Sequence, residues 1–139
     1  MKKIIVLLIM CFFLISCKEK KTEFIQSKVR SNLFLIKFSS QRDSLLKSDI
    51  KNFLLKNFND VYKNDYNIFL YKYTSDTKYF INHDEDPGGF SSEEISMYEE
   101  DYIAGFYTSK CKKDSTKRVG VFSFYKTYSK PDTIINGCK

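Results

Sequence analysis

The 139-residue chain contains no tryptophan, one histidine, two prolines and five glycines. Because His83 is the sole histidine, a metal site here would need mostly carboxylate ligands. The HExxH and GxSxG motifs are absent, as is a cysteine and histidine pairing for nucleophilic catalysis. No repeat and no linker rich in proline or glycine divides the chain, so we expect a single domain.

Long hydrophobic runs are also missing. The longest apolar stretch covers residues 4–15, whereas a membrane-spanning helix needs roughly twenty apolar residues. The stretch follows the positively charged Lys2 and Lys3 and carries no charge of its own. This combination predicts the hydrophobic region of a signal peptide rather than a transmembrane helix.

The apolar stretch ends in Leu14-Ile15-Ser16-Cys17, which resembles the lipobox of bacterial lipoproteins. The resemblance covers only the segment that ends at Cys17. It implies cleavage before Cys17, attachment of a diacylglycerol to its thiol, and acylation of the new amine, for example with palmitate. Two or more acyl chains suffice for stable anchoring. An ordinary secretory signal with a chance cysteine, or an uncleaved anchor, are the alternatives.

The resemblance predicts a lipid-anchored protein of the cell membrane or outer membrane, exposed to the periplasm or the cell surface. We divide the chain into a signal peptide (1–16), a lipidated cysteine with its tether (17–30) and a single α+β domain (31–139). Without Lys2 and Lys3 the chain has 21 basic and 17 acidic residues. That excess is too mild to indicate nucleic-acid binding, which the predicted export also argues against.

Beyond Cys17, the predicted mature chain keeps Cys111 and Cys138. In an oxidising envelope such a pair predicts a disulfide. In a simple meander both cysteines emerge at the same end of the sheet, but two strands apart, at about 10 Å. Disulfide Cα atoms usually lie within about 7 Å. Either the strand order is not sequential, or the last residues hook across the sheet end, which we favour.

The apolar pattern predicts one long helix over 41–62, begun by an N-cap at Ser39-Ser40. Strands are predicted at 33–38, 67–73, 78–82, 102–109, 118–126 and 133–136, with a turn at 74–77, a loop at 84–92 and a short helical turn at 92–100. The resulting class is α+β: a long helix packed on an antiparallel sheet of five or six strands. The order of elements is similar to that of cystatin-like proteins.

The segment 84–101 contains eight acidic residues and no lysine or arginine. They are the candidate binding residues: Asp84, Glu85, Asp86, Glu93, Glu94, Glu99, Glu100 and Asp101. Against the Ca²⁺ loop of an EF-hand, Gly88 replaces the fifth ligand and Ile95 replaces the bidentate glutamate, so that template fails. An irregular Ca²⁺ site at 84–94 stays open, and a solvated loop or a protein-facing patch is the main expectation. We expect no other cofactor.

A second charged group surrounds a predicted hairpin turn: Lys110, Lys112, Lys113, Lys117 and Arg118. It suits an anionic surface or a lipid head group, although such a cluster is more often a solvated turn. Tyr98, Tyr102 and Tyr128 are candidates for a protein interface.

The leading functional hypothesis is a non-enzymatic binding module for another envelope protein, of the immunity or inhibitor type or an accessory subunit. The alternative is a small hydrolase or glycan-processing enzyme that uses the acidic segment 84–101.

Overall fold

The computed structural model describes residues 22–28, 30–37, 42–61, 64–80, 98–125 and 130–138. These residues form a six-stranded sheet with one long helix, so the predicted α+β class is confirmed. In chain order the elements are β1 (Glu23–Gln26), β2 (Leu33–Lys37), α1 (Asp43–Asn57), β3 (Asn67–Lys72), α2 (Ser75–Phe80), a 3-10 turn (Glu99–Asp101), β4 (Tyr102–Lys110), β5 (Arg118–Phe124) and β6 (Asp132–Asn136).

The strands lie side by side in sequence order, from β1 at one edge to β6 at the other. Four neighbouring pairs are antiparallel, whereas β2 and β3 are parallel, so the sheet is mixed rather than purely antiparallel. The physical reason is the connection between them. Because α1 carries the chain back along the sheet after β2, the next strand starts at the same end as β2 and runs in the same direction.

Helix α1 forms because its apolar residues recur every four positions, which puts them on one face. Leu46, Ile50 and Leu54 are all buried against the sheet. Burying each such side chain stabilises the fold by about 1.5–3 kcal/mol. The helix is shorter than predicted, because it ends at Asn57. Val61 is buried but lies beyond the helix end.

The start of α1 differs from the predicted cap. Arg42 occupies the N-cap position and makes no side-chain capping hydrogen bond, while its carbonyl accepts the backbone N–H groups of Leu45 and Leu46. The predicted cap residues, Ser39 and Ser40, lie outside the described residues.

Aromatic rings fill the space between α1 and the sheet. Phe53 on α1 stacks on Phe24 of β1 with ring centroids 4.0 Å apart, and it meets Phe34 of β2 edge-on. Phe106 of β4 is fully buried, and its ring lies over Gly120 of β5. A side chain at that glycine would meet the ring at 2.8 Å.

A second, smaller core lies on the other face of the sheet. Leu33, Leu35 and Tyr71 are buried there. Tyr102 meets Tyr71 edge-on, and its hydroxyl lies directly over Gly105, where a Cβ would come within 2.5 Å. Tyr98 and Tyr102, proposed from the sequence as interface residues, are thus half-buried in this core. Tyr128 lies outside the described residues.

The predicted hairpin of 67–73 with 78–82 is wrong, since residues 75–80 form α2. A reciprocal cap starts this helix: the Thr77 N–H donates to the Thr74 hydroxyl at 3.1 Å, and the Thr74 N–H donates to the Thr77 hydroxyl at 2.8 Å. The Thr77 hydroxyl also donates to the carbonyl of Lys72 at 2.7 Å. These bonds satisfy backbone amides at the helix start. Their contribution to the helix outweighs the local strand propensity of Tyr79 and Phe80.

The predicted disulfide between Cys111 and Cys138 is present, with a Cα–Cα distance of 5.7 Å. Because β4, β5 and β6 are in sequential order, the chain reaches across by the predicted hook. The Gly137 N–H donates to the carbonyl of Arg118 on β5, and Cys138 follows directly. The last residues therefore pass β5 and meet the end of β4.

Strand β1 lies inside the segment 17–30 that the sequence assigns to the tether, so the ordered sheet starts before residue 31. The Thr22 hydroxyl donates to Asp49 of α1 at 2.5 Å. This contact and the stacked Phe24 hold β1 against the helix. Among the described helices, none is long and apolar enough to span a membrane.

Candidate binding cleft

A cleft of about 420 Å³ opens where α1 begins and where β3, β4 and β5 meet the same end of the sheet. We call this end of the sheet the acidic end. The cleft is lined by Asp43, Leu46, Lys72, Glu100, Asp101, Tyr102, Ile103 and Tyr125. Three carboxylates, one ammonium group and two phenol rings therefore share one concave surface.

Asp43 reaches the cleft because it is the first residue of α1. A carboxylate in the first turn is favoured by the partial positive charge of the helix N-terminus. The Tyr125 hydroxyl, just beyond β5, donates to Oδ1 of Asp43 at 3.3 Å. This hydrogen bond links the helix start to the sheet across the cleft.

Glu100 and Asp101 are placed by the 3-10 turn that leads into β4. The Asp101 N–H donates to the carbonyl of Tyr98, which closes the turn at 3.0 Å. Oδ2 of Asp101 accepts a long hydrogen bond of 3.4 Å from the Thr74 hydroxyl, at the start of α2. Asp101 is half-buried, whereas Glu100 is exposed. The turn thus presents the Asp101 carboxylate, which is fixed by its hydrogen bond to Thr74, and the Glu100 carboxylate, which extends into solvent.

The floor of the cleft is apolar. Leu46 and Ile103 are buried members of the main core, and they line the cleft from the helix and from the sheet. Ile103 lies at an irregularity in the pairing of β3 with β4, where Leu70 pairs with Ala104 and Tyr71 pairs with Tyr102. The extra residue breaks the regular alternation of side chains at this point.

The chemistry of the cleft suits an ammonium or guanidinium group at the end of an aliphatic stem. Its carboxylates outnumber its single ammonium group, Lys72, and its apolar floor can cover the stem of a lysine or arginine side chain. Within the described segments, no group of three or more histidine, cysteine, aspartate or glutamate side chains is arranged to hold a metal ion.

The structure brings together two of the eight acidic candidates, Glu100 and Asp101, and leaves Glu99 exposed on the same turn but outside the cleft lining. The candidate Ca²⁺ site at 84–94 lies outside the described residues. So do the other five acidic candidates: Asp84, Glu85, Asp86, Glu93 and Glu94.

Sequence reasoning missed three members of the cleft: Asp43, Lys72 and Tyr125. No local signal connects Asp43 with Asp101, 58 positions away in the printed sequence. Only the parallel pairing of β2 with β3 brings the start of α1 to the start of β4. That pairing is a property of the whole sheet rather than of either segment.

The chain matches no known protein family, no curated protein and no solved structure. The likeness to cystatin-like proteins therefore stays a prediction from element order.

Proposed function

We propose that this chain is an envelope lipoprotein, anchored through an acylated Cys17, whose folded domain binds another envelope protein at the acidic cleft. The observation that carries the binding role is the composition of the cleft: Asp43, Glu100 and Asp101 surround an apolar floor. A basic side chain from a partner protein fits both the charge and the floor. An immunity-type protein, an inhibitor or an accessory subunit would fit this role.

The position of the chain entry supports a partner close to the membrane. Glu23 of β1 pairs with Lys37 at the end of β2, so Thr22 enters the sheet at the acidic end. Residues 18–22 span at most roughly 17 Å when extended. A cleft on this end therefore stays near the bilayer, and its partner must approach the membrane surface.

The proposal is tested with the full processed protein as bait in an envelope extract. Glu100→Gln combined with Asp101→Asn removes two charges from the cleft and keeps the side-chain shapes. The matched control is Glu99→Gln, which removes one charge from the same 3-10 turn outside the cleft. We expect a protein captured by the wild type to be lost by at least tenfold in the double variant and retained by the control.

Equal capture by all three forms contradicts the cleft as the binding site. The enzymatic alternative predicts a different pattern: turnover of a cell-wall or glycan substrate that a single substitution, Glu100→Gln or Asp101→Asn, abolishes. Such an activity would overturn the binding-module proposal.

A further inference from the structure

A basic surface lies at the end of the sheet opposite the cleft. It is formed by the hairpin that joins β4 to β5, where Lys110 pairs with Arg118. Four lysines are exposed there: Lys110, Lys112, Lys113 and Lys117. We call this surface the lysine hairpin. Because β4 has nine residues, the lysine hairpin lies about 30 Å from the acidic end.

The lysine hairpin is held in shape by several bonds at its base. The disulfide of Cys111 ties it to the end of β6, and the Cys111 N–H donates to the carbonyl of Lys117 at 2.9 Å. Within the turn, Oδ1 of Asp114 accepts hydrogen bonds from the Thr116 hydroxyl and N–H at 2.6 and 3.0 Å. The lysines are therefore displayed on a fixed backbone rather than on a loose loop.

The carboxylates at this end already have partners within the domain. Oδ1 of Asp65 lies 2.7 Å from Nε of Arg118, but the Nε–H group is not aligned for a hydrogen bond. Oδ2 of Asp65 accepts a hydrogen bond from Nη2 of Arg118 at 3.2 Å. Asp60 accepts hydrogen bonds from Tyr66 and Asn64. The hairpin carries five cationic side chains, against these two carboxylates and that of Asp114, so the balance of charge at this end is positive: Lys110, Lys112, Lys113, Lys117 and Arg118.

We infer that the lysine hairpin binds the phosphate groups of an anionic lipid surface. Three features favour lipid over a protein partner. The exposed residues of 110–117 are lysines, serine and threonine, without the aromatic or aliphatic anchor that a protein interface needs. Lysine binds phosphate as a compact point charge, and it is depleted at protein interfaces, where arginine is enriched. The one arginine here, Arg118, is paired with Asp65.

This contact gives the domain an orientation on a bilayer. The lysine hairpin is attracted to anionic lipid, and the proposed anchor holds the opposite end of the sheet, where Thr22 enters, near the same bilayer. A domain with both ends near the membrane lies with its strands along the bilayer plane. The lipid contact itself does not depend on acylation of Cys17, because it concerns charges in the folded domain alone, whereas the orientation rests on the proposed anchor.

The test measures co-sedimentation of the whole chain with two kinds of vesicle: phosphatidylcholine alone, and phosphatidylcholine mixed with phosphatidylglycerol. The quantity compared is the ratio of binding to the two, so any hydrophobic contribution of the N-terminal segment cancels. The variants are Lys112→Gln, Lys113→Gln and their combination. Lys130→Gln is the matched control, because Lys130 is exposed near the start of β6 at the acidic end.

We expect each hairpin substitution to lower the ratio by up to roughly fivefold, since a lysine near an anionic surface contributes about a fivefold change in binding. High salt lowers the wild-type ratio in the same way. Lys130→Gln leaves the ratio unchanged. Acylation of exposed lysines by a water-soluble reagent reports the contact directly, with Lys112 and Lys113 protected only on phosphatidylglycerol vesicles.

Equal ratios for wild type and the double variant overturn the inference, as does an equal loss in Lys130→Gln. A different result would assign the hairpin to an acidic protein instead: binding to soluble polyglutamate depends on Lys112 and Lys113, while binding to vesicles does not depend on them.

Discussion

Gly120 shows how closely single residues fit in the core. Its missing side chain leaves room for the ring of Phe106, which is completely buried. We predict that Gly120→Ala lowers the free energy of unfolding by about 1–3 kcal/mol, because the ring has no space to move into. Urea denaturation followed by circular dichroism measures the change.

Gly105→Ala is the control for that measurement. A Cβ there also meets a neighbour closely, but the neighbour is the hydroxyl end of the half-buried Tyr102. That side chain can rotate away, so we expect a smaller loss than for Gly120→Ala. A loss at Gly105 equal to or greater than the loss at Gly120 contradicts the account of the two cores.

Asp132 couples the edge strand β6 to α1. Its Oδ2 accepts hydrogen bonds from Lys51 at 2.7 Å and from Lys47 at 3.1 Å. These bonds hold the pKa of Asp132 below its ordinary value, and the bond from Lys51 has the larger effect. A lowered pKa in the folded state contributes stability above the ordinary aspartate pKa of about 3.9. That stability is lost as the pH falls through the lower folded value.

We therefore predict that Asp132→Asn lowers the free energy of unfolding at neutral pH by about 0.5–1 kcal/mol, a small effect because the pair is partly exposed to solvent. The difference between wild type and variant should shrink as the pH falls below about 3.9. Urea titrations at several pH values measure it. A difference that grows in acid would contradict the assigned role of the carboxylate.

At the scale of elements, strong periodicity made most of the fold predictable. The helix α1 is predictable from local sequence because its apolar positions lie on one face. The strands β4, β5 and β6 are predictable because they are short runs rich in strand-forming residues. The turn predicted at 74–77 and the strand predicted from residue 78 are wrong, because the cap between Thr74 and Thr77 starts a helix that outweighs the strand propensity of the aromatic residues. The local signal for this cap is the second threonine three residues after the first.

The disulfide is the element-scale feature with the largest predicted effect on stability. It joins residues 27 positions apart in sequence. Closing such a loop contributes about 3.5 kcal/mol in the chain-entropy model. We predict that the double variant Cys111→Ala and Cys138→Ala loses about this amount, and that a reductant lowers the urea midpoint of the wild type but not of the variant. A wild-type midpoint that is insensitive to full reduction would contradict the prediction.

At the scale of the molecule, charge is separated along the strands. The acidic cleft and the entry of the chain at Thr22 lie at one end, and the lysine hairpin lies at the other. The sequence predicted both charged groups but not their separation. Their relative placement follows from the strand directions, which one segment of sequence does not determine. The cleft depends on the sheet bringing Asp43 and Asp101, which are distant in sequence, to line the same surface.

The proposed anchor at Cys17 would place the cleft beside a membrane, and the proposed function of the cleft rests on that position. The most direct test is intact mass spectrometry of the protein recovered from membranes of a bacterial host that processes lipoproteins. We predict a mature chain that begins at Cys17 and carries a diacylglycerol with a further acyl chain, and an unprocessed precursor for Cys17→Ala. A mature N-terminus elsewhere, or an unmodified Cys17, would contradict the account.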